Sequence, residues 1–289
     1  MTSSVRSRVP APLLFVVGAL SLYIGAALAV GLFDSLSPTA IAVLRMVGAA
    51  LVLIAWRRPP LAAWNWRRLA RATAFGMATA CMNIAFYEAI SRLPLGTAVA
   101  IEFCGPVAVA AVASRRPRDV AAVALAAFGV LLIADVRWSD SYTGVVWALA
   151  AAALWAAYIV LGKKVATAGN GLDDMAVGFG VAAVVLSPLL LIGGVDGLAS
   201  LADPQVLLIA LGVGLLSSVV PYVLDQIVLR RVGQARFAVL LALLPATATV
   251  VGLAVLAQIP TVAEAAGIAA VVLAVMLRSK DGDTPAPVG

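Results

Sequence analysis

Long apolar runs separated by short polar segments account for nearly the whole chain. Most runs hold roughly 20 residues, the number that carries an α-helix across the hydrocarbon core of a bilayer. The pattern predicts ten transmembrane helices, with ends placed to about three residues. They lie at 12–33, 38–56, 71–91, 95–113, 119–134, 143–162, 174–194, 204–229, 235–257 and 262–277. The first run is longer than the apolar core of a secretory signal, about 7–15 residues, so we expect a retained first helix.

Composition supports the same class of protein. Of 289 residues, 63% are hydrophobic and 12% are charged, and the mean hydropathy is +1.07. A soluble domain is typically about 25% charged, so no sizeable soluble domain is expected beside the spans. The cysteines, Cys81 and Cys104, lie within predicted spans, where a disulfide framework is not expected. Because the chain has no histidine, the commonest metal ligand is missing, and we expect neither a metal nor a cofactor.

The distribution of positive charge predicts the orientation of the spans. With the N-terminus in the cytoplasm, Arg92 and Arg137 are the basic residues of the outside loops, and Arg45 lies within a span. The cytoplasmic segments then hold Arg6, Arg8, Arg57, Arg58, Arg67, Arg68, Arg71, Arg115, Arg116, Arg118, Lys163, Lys164, Arg230, Arg231, Arg236, Arg278 and Lys280. This excess follows the positive-inside rule. Both termini are therefore predicted to be cytoplasmic, and the net charge of +6 indicates topology rather than nucleic-acid binding.

A polar hairpin inside apolar sequence occurs twice. In the first copy, residues 83–112, two carboxylates and a proline lie within spans three and four: Glu88, Glu102 and Pro106. A variation on the pattern returns at residues 221–251. Polar groups are costly in lipid, so a polar hairpin that is present twice suggests a transported substrate.

The two halves of the chain form a weak internal repeat. The matched positions are Leu22 with Leu154, Tyr23 with Trp155, Asn83 with Tyr222, Tyr87 with Gln226, Arg92 with Arg231, and Pro106 with Pro245. Because five spans per half is an odd number, the second half enters the membrane in the opposite sense. The prediction is an all-α integral membrane fold of ten transmembrane helices in two inverted five-helix repeats, at 12–134 and 143–277, with a disordered cytoplasmic tail at 278–289. In such architectures the substrate site lies near the bilayer midplane.

Three segments carry a resemblance to a known family. They are RLPLGTAVAIEFCGP at 92–106, PYVLDQIVLRR at 221–231 and LLPA at 243–246. The chain resembles the EamA-type carriers of the drug/metabolite transporter superfamily, and within them the threonine/homoserine-exporter-like branch. The resemblance implies ten spans, two repeats and amino-acid export across a bacterial inner membrane. Two positions depart from that branch, since Leu244 and Asp225 stand where glutamate is common.

Charged side chains inside spans are candidates for function, because each costs at least about 2.5–3.5 kcal/mol at bilayer depth. They are Arg45, Glu88, Glu102 and Asp225. Glu102 either holds the amino group of a zwitterionic substrate, takes up a coupling proton, or forms a structural pair with Arg45. Glu88 is four residues before Arg92, and Asp225 is near Arg230 and Arg231, so structural pairing is favoured for these two.

Other polar and aromatic side chains are spaced to share helix faces. Asn83 and Tyr87 are four residues apart on span three, and Trp155 and Tyr158 are three apart on span six. The predicted substrate cavity lies between spans one, three, four, six, eight and nine. Its predicted lining residues are Tyr23, Asn83, Tyr87, Glu102, Trp155, Tyr158, Tyr222 and Gln226. Prolines inside spans remove helix hydrogen bonds, and the predicted hinges are Pro106, Pro221 and Pro245.

These patterns favour a secondary transporter that exports amino acids, namely threonine, homoserine, methionine or aromatic ones, or similar small metabolites by alternating access. An exporter of drugs or nucleotide-sugars with the same fold is one alternative. A membrane-embedded enzyme or assembly factor is another, but the sequence contains none of the G-x-S-x-G, H-E-x-x-H or P-loop motifs and no enzyme activity is expected. The predicted partners are a small-molecule substrate and the lipid bilayer, without nucleic acid, and a monomer is compatible with the pattern.

Overall fold

A computed structural model describes residues 9–60, 64–113, 117–166, 171–193, 203–221, 224, 227–228, 240–241 and 243–279. Within these residues every regular element is helical. The helices are α1 (Ala11–Val30), α2 (Pro38–Arg57), α3 (Trp66–Ile90), α4 (Leu95–Glu102), α5 (Cys104–Ala113), α6 (Pro117–Ala166), α7 (Gly171–Leu186), α8 (Pro204–Gly214), α9 (Leu243–Leu256) and α10 (Val262–Ser279). The all-helical class predicted from the hydropathy pattern is confirmed.

Local sequence signals explain where several helices begin. Ser37 caps α2 by accepting a hydrogen bond from the backbone N–H of Ala40, and Pro38 occupies the first helical position, where its missing N–H costs nothing. Asn65 caps α3 in the same way through the N–H of Arg68. A carboxylate at the third position of α10, Glu264, accepts from the N–H of Thr261 and forms a capping box.

Helix α6 differs from the sequence prediction. Spans five and six were predicted with a loop at 135–142, but the chain stays helical to a kink at Ser141, where φ is −157° and ψ is 65°. No proline or glycine lies between 130 and 143, so nothing in the backbone stops the helix before this residue. The two limbs of α6 therefore supply two of the predicted spans, and the first limb is longer than predicted.

Among the described residues, four helical segments are each long and apolar enough to cross a membrane. They are Ala11–Val30, Pro38–Arg57, Ser141–Gly162 and Asp173–Leu191. The shorter apolar helices are Leu95–Val109, Val120–Ile133, Leu207–Val219, Leu243–Leu256 and Val262–Leu277. The helix of span four is interrupted at Phe103, between α4 and α5, and span seven continues beyond α7 as a 3₁₀ helix, Ser187–Gly193.

Helix α1 is apolar on both its exposed face and its buried face. Large apolar side chains at Leu13, Val17 and Leu28 are exposed, while Phe15 and Tyr23 are buried in the core. A helix that is apolar on both its exposed and buried faces is suited to lipid on the outside and protein on the inside. The protein therefore packs as an apolar helical bundle with an apolar exterior.

Small residues allow the helices to approach closely. Gly76 of α3 lies against the backbone of Gly178 in α7, and Gly105 of α5 lies against the carbonyl of Ala152 in the second limb of α6. In both places a Cβ atom would collide with backbone atoms, which cannot move aside. Backbone contact through small residues is the usual way in which membrane helices pack, and here it draws α3, α5, α6 and α7 around one interior space.

Candidate functional site

A cavity of about 430 Å³ lies between the helices. Its walls come from α1, α2, α3, both halves of span four, the second limb of α6, α7, the region after α8, and residues 241 and 244. The sequence predicted walls from spans one, three, four, six, eight and nine, and the structure adds spans two and seven. Among the predicted cavity residues, Tyr23, Asn83, Glu102, Trp155 and Tyr158 lie in the lining.

Arg45 lies in the cavity wall at the middle of α2 and is 9% exposed. Its Nε donates a hydrogen bond of 3.0 Å to Ser218 Oγ, and its Nη2 donates one of 2.6 Å to the backbone carbonyl of Ser217. The guanidinium carbon lies 5.7 Å from the centre of the Tyr87 ring. These neutral contacts fix the side chain without neutralising its charge.

The backbone that holds Arg45 is irregular because of a proline. Leu215–Val219 forms one turn of π-helix after α8, and Pro221 has no N–H to donate to the carbonyls four and five residues before it. The Ser217 carbonyl accepts from Arg45, and the Leu216 carbonyl accepts a 2.8 Å bond from Ser21 Oγ. Such π turns are frequent at functional sites, and this one joins α2 and α1 to the chain that follows α8.

Glu102 enters the cavity at the end of α4 and is 8% exposed. Pro106 lies four residues later and cannot donate to the Glu102 carbonyl, so the helix is interrupted at Phe103. The Phe103 ring meets the Trp155 ring edge to face, with centres 4.8 Å apart. Both aromatic rings line the cavity beside the carboxylate.

The direct Arg45–Glu102 pair that the sequence left open is not formed. Ion pairs within 4.0 Å among the described residues join Arg57 to Asp173, Arg68 to Asp174 and Arg92 to Glu88. Arg45 instead bonds to Ser217 and Ser218 on a neighbouring element through Nε and Nη2. The cavity therefore contains two opposite charges that are not in contact.

Two residues from the sequence prediction lie outside the lining. Tyr87 is fully buried and packs edge to face against Phe33 and Phe86. Its ring contacts the Arg45 guanidinium and does not line the cavity. Glu88 pairs with Arg92 at 2.6 Å and accepts a 2.7 Å hydrogen bond from Thr39 Oγ1. This pairing is the structural arrangement that the spacing favoured.

The predicted hinge prolines have different positions. Pro106 and Pro221 line the cavity, whereas Pro245 is buried in the first turn of α9 beside the lining residue Leu244. Tyr222, Asp225 and Gln226, which the sequence also singled out, lie outside the described residues, as do Arg230 and the chain beyond Ser279.

Sequence reasoning missed much of the apolar wall. Met46, Met82 and Met175 line the cavity together with Phe86 and Phe179. A methionine inside an apolar span carries no signal that separates a cavity wall from a lipid face. Thioether side chains adapt to ligands of varied shape, so this wall suits a variable side chain on the ligand.

The cavity is asymmetric along the bundle. Its lining runs from Arg45 to Leu53 and Trp56 in the last turns of α2, and it includes Met175 near the start of α7. At this end Asp173 and Asp174 begin α7 and pair with Arg57 and Arg68. Glu88 and Arg92, at the other end of α3, do not line it.

The arrangement is suited to holding a small amphipathic molecule. Pockets of about 300–1,000 Å³ with apolar walls and a few placed polar groups are typical of small-molecule sites. No group of His, Cys, Asp and Glu that could hold a metal ion occurs among the described residues. The fold and the cavity together define a helical membrane carrier for small molecules.

Comparison with known proteins gives the family. A model of the EamA-like transporter family matches residues 142–279. The threonine/homoserine exporter RhtA of Salmonella typhimurium (strain SL1344) is 35% identical over 273 residues, which cover 91% of this chain and 89% of the relative. RhtA of Escherichia coli (strain K12) is 35% identical over 261 residues, which cover 87% and 85%. The chain therefore belongs to the EamA-like transporter family, within the drug/metabolite transporter superfamily.

A solved crystal structure shares the fold. It aligns with a TM-score of 0.57 and 19% identity, covering 92% of this chain and 95% of the other. The identity is too low to carry function, and the likeness concerns the arrangement of helices over nearly the full length.

Proposed function

We propose that this protein is a secondary transporter that exports amino acids or similar small metabolites across the bacterial inner membrane by alternating access. The observation that carries the proposal is the cavity in which Arg45, Glu102 and Asn83 face a space with aromatic and methionine walls. The names of the relatives, threonine/homoserine exporters at 35% identity, favour amino acids as the substrate class.

Alternating access would come from two inverted repeats, at 12–134 and 143–277. Gly129 of the first limb of α6 and Gly267 of α10 each lie against the carbonyl of the other, as equivalent elements related by a two-fold axis would. Likewise Gly76 meets Gly178 across α3 and α7, and Gly214 lies beside the Arg45 carbonyl across α8 and α2. Span three corresponds to span eight and span seven to span two, so these two contacts are counterparts.

The predicted topology assigns a side to the cavity. With both termini in the cytoplasm, the end of α2 and the start of α7 lie on the cytoplasmic side, so the cavity extends toward the cytoplasm. An exporter must load its substrate from that side. This orientation rests on the charge distribution, and the asymmetric lining is compatible with it.

An exporter of drugs or nucleotide-sugars is the second candidate. The large apolar part of the wall favours drugs, but nucleotide phosphates call for several cations. Arg45 is the one Lys or Arg among the described lining residues. We therefore place amino acids first.

Export from proteoliposomes tests the proposal. Purified full-length protein is reconstituted in liposomes preloaded with labelled threonine, homoserine, methionine or phenylalanine, and release is compared with protein-free liposomes. We expect protein-dependent release of at least one of them, and slower release for Trp155→Ala, which removes a ring of the cavity wall. Absence of release for all four amino acids, together with release of a hydrophobic drug, would assign the second function.

A further inference from the structure

The cavity presents a positive and a negative group that are held apart. Arg45 and Glu102 both line it, on α2 and at the end of α4, and neither takes part in an ion pair within 4.0 Å among the described residues. A buried charge is costly unless it is paired. An acidic and a basic side chain that are separated in one cavity therefore suit a ligand that brings an opposite charge to each.

Arg45 is oriented so that part of its guanidinium stays available. A guanidinium has five N–H donors, and the bonds to Ser218 Oγ and the Ser217 carbonyl use Nε and one N–H of Nη2. No hydrogen bond of Nη1 to a described residue is present. Because the fork geometry of arginine matches a carboxylate, the remaining donors are suited to an anionic group of the ligand.

Two of the residues that contact Arg45 also have buried polar atoms without partners. Ser217 Oγ and Tyr87 Oη are both buried and have no hydrogen-bond partner among the described residues. Ser217 is 2% exposed and lines the cavity. Ser217 Oγ packs against Gly25 of α1, so the side chain of Ser217 holds the chain after α8 against α1 while its carbonyl holds Arg45.

We propose that Arg45 binds the carboxylate and Glu102 the ammonium group of the substrate, so the cavity selects amino acids whose two charged groups are both free. Ser217 and Ser218 position the guanidinium. The side chain of the amino acid then lies against the methionine and aromatic wall. This inference rests on the proposed function, because it specifies which part of an amino acid the transporter recognises.

Matched ligand triplets test this assignment. Each triplet contains a free amino acid, its amide and its N-acetyl derivative, built on threonine, methionine and phenylalanine. Binding to the purified full-length protein in detergent is measured by isothermal titration, and each compound is also tested as a competitor of export. The wild-type protein should bind the free amino acid about tenfold or more tightly than either derivative, the size expected when a charge-assisted hydrogen bond is lost.

Variants assign each charge to one end of the ligand. Arg45→Gln should lose the preference for the acid over the amide and keep the preference over the N-acetyl compound, and Glu102→Gln should do the reverse. Arg92→Gln and Glu88→Gln neutralise the same residue types outside the cavity and should retain both preferences. If Arg45→Gln does not fold, the affinities of the wild-type protein for the free amino acid and its two derivatives still test the assignment.

The possible results separate the two proposals. Wild-type protein that binds or exports an amino acid but accepts its amide equally well overturns the assignment of Arg45 and leaves amino-acid export standing. Equal weakening of all three compounds by Arg45→Gln also overturns it, because a structural role predicts that result. Wild-type protein that neither binds nor exports any of the three amino acids, and does not export homoserine either, overturns the proposed function and this inference with it.

Discussion

Glu102 owes its position to a proline four residues later. Without an N–H at Pro106, the helix is interrupted just after the carboxylate, so Glu102 lies at a helix end that faces the cavity. Arg45 depends on Pro221 in a similar way, through the carbonyl of Ser217. In both cases a proline makes the backbone irregular beside a charged group in the cavity wall. Membrane proteins tolerate irregular backbone where it lines a cavity or is buried in protein.

At Glu102 we predict an effect of protonation on transport. Glu102 is the one Asp or Glu among the described lining residues, and buried carboxylates serve as proton relays in membrane transporters. Glu102→Gln should slow export and flatten its dependence between about pH 5 and pH 8, measured as release from proteoliposomes.

A control variant tests whether the pH dependence arises from the carboxylate in the cavity or from the one at the end of α3. Glu88→Gln removes a carboxylate that pairs with Arg92 outside the lining, and it should leave the pH profile unchanged. If Glu102→Gln exports with the wild-type pH profile over the same range, the role of Glu102 is purely structural.

At the scale of elements, the π turn after α8 couples three parts of the bundle. It accepts hydrogen bonds from Ser21 on α1 and from Arg45 on α2. A helix with regular hydrogen bonds offers no free carbonyl in its interior. The turn thus provides a polar connection whose strength depends on the missing N–H of Pro221.

Replacing Pro221 should stabilise the fold and impair transport. In Pro221→Ala the new N–H can bond the Ser217 carbonyl in competition with Arg45, and a hydrogen bond contributes about 1 kcal/mol, which corresponds to roughly fivefold in export rate. Removing an interior proline also stabilises a helix, so Tm should rise while export falls. Pro204→Ala, at the first position of α8, should change neither by much. A Pro221→Ala protein that exports at the wild-type rate would contradict this role of the turn.

Close packing between α3 and α7 gives a prediction for stability. A Cβ at Gly76 would collide with the backbone of Gly178, whereas a Cβ at Gly212 meets nothing within 4 Å. Gly76→Ala should therefore destabilise the protein by about 1–3 kcal/mol, and Gly212→Ala should be neutral or stabilising by up to about 1 kcal/mol. Thermal unfolding of both variants in the same detergent measures the difference, and equal Tm values would contradict the close contact.

At the scale of the whole molecule, the sequence predicted the positions of the helices better than the contacts between them. Span two was predicted at 38–56 and is Pro38–Arg57, because Ser37 and Pro38 mark its start. The loop predicted at 135–142 was wrong, because polar residues such as Asp135 and Asp140 do not by themselves stop a helix. Glu264 was overlooked, although the Thr261-x-x-Glu264 spacing announces a capping box. It also accepts a hydrogen bond from Thr97 on α4.

At the candidate site, too, the sequence predicted individual residues but not their contacts. The sequence identified Arg45 and Glu102 as buried charges, because charge within an apolar run is visible in one dimension. It could not show that Arg45 would bind to Ser217 and Ser218, more than 170 positions away. Tyr87 was placed in the cavity on helix spacing alone, but a helix face packs against whichever neighbour the tertiary fold provides, here Phe33 and Phe86.

The orientation of the two halves gives the last prediction. Cys81 and Cys104 are replaced by alanine, and a single cysteine is placed at Ser139, before the kink of α6, or at Ser279, the last residue of α10. An odd number of spans separates these sites if the second repeat is inverted, so a membrane-impermeant maleimide should label Ser139→Cys from the periplasmic side. Ser279→Cys should react only after the membrane is opened to the cytoplasmic side. Labelling of both from one side would remove the inverted repeat, and with it the structural basis for alternating access.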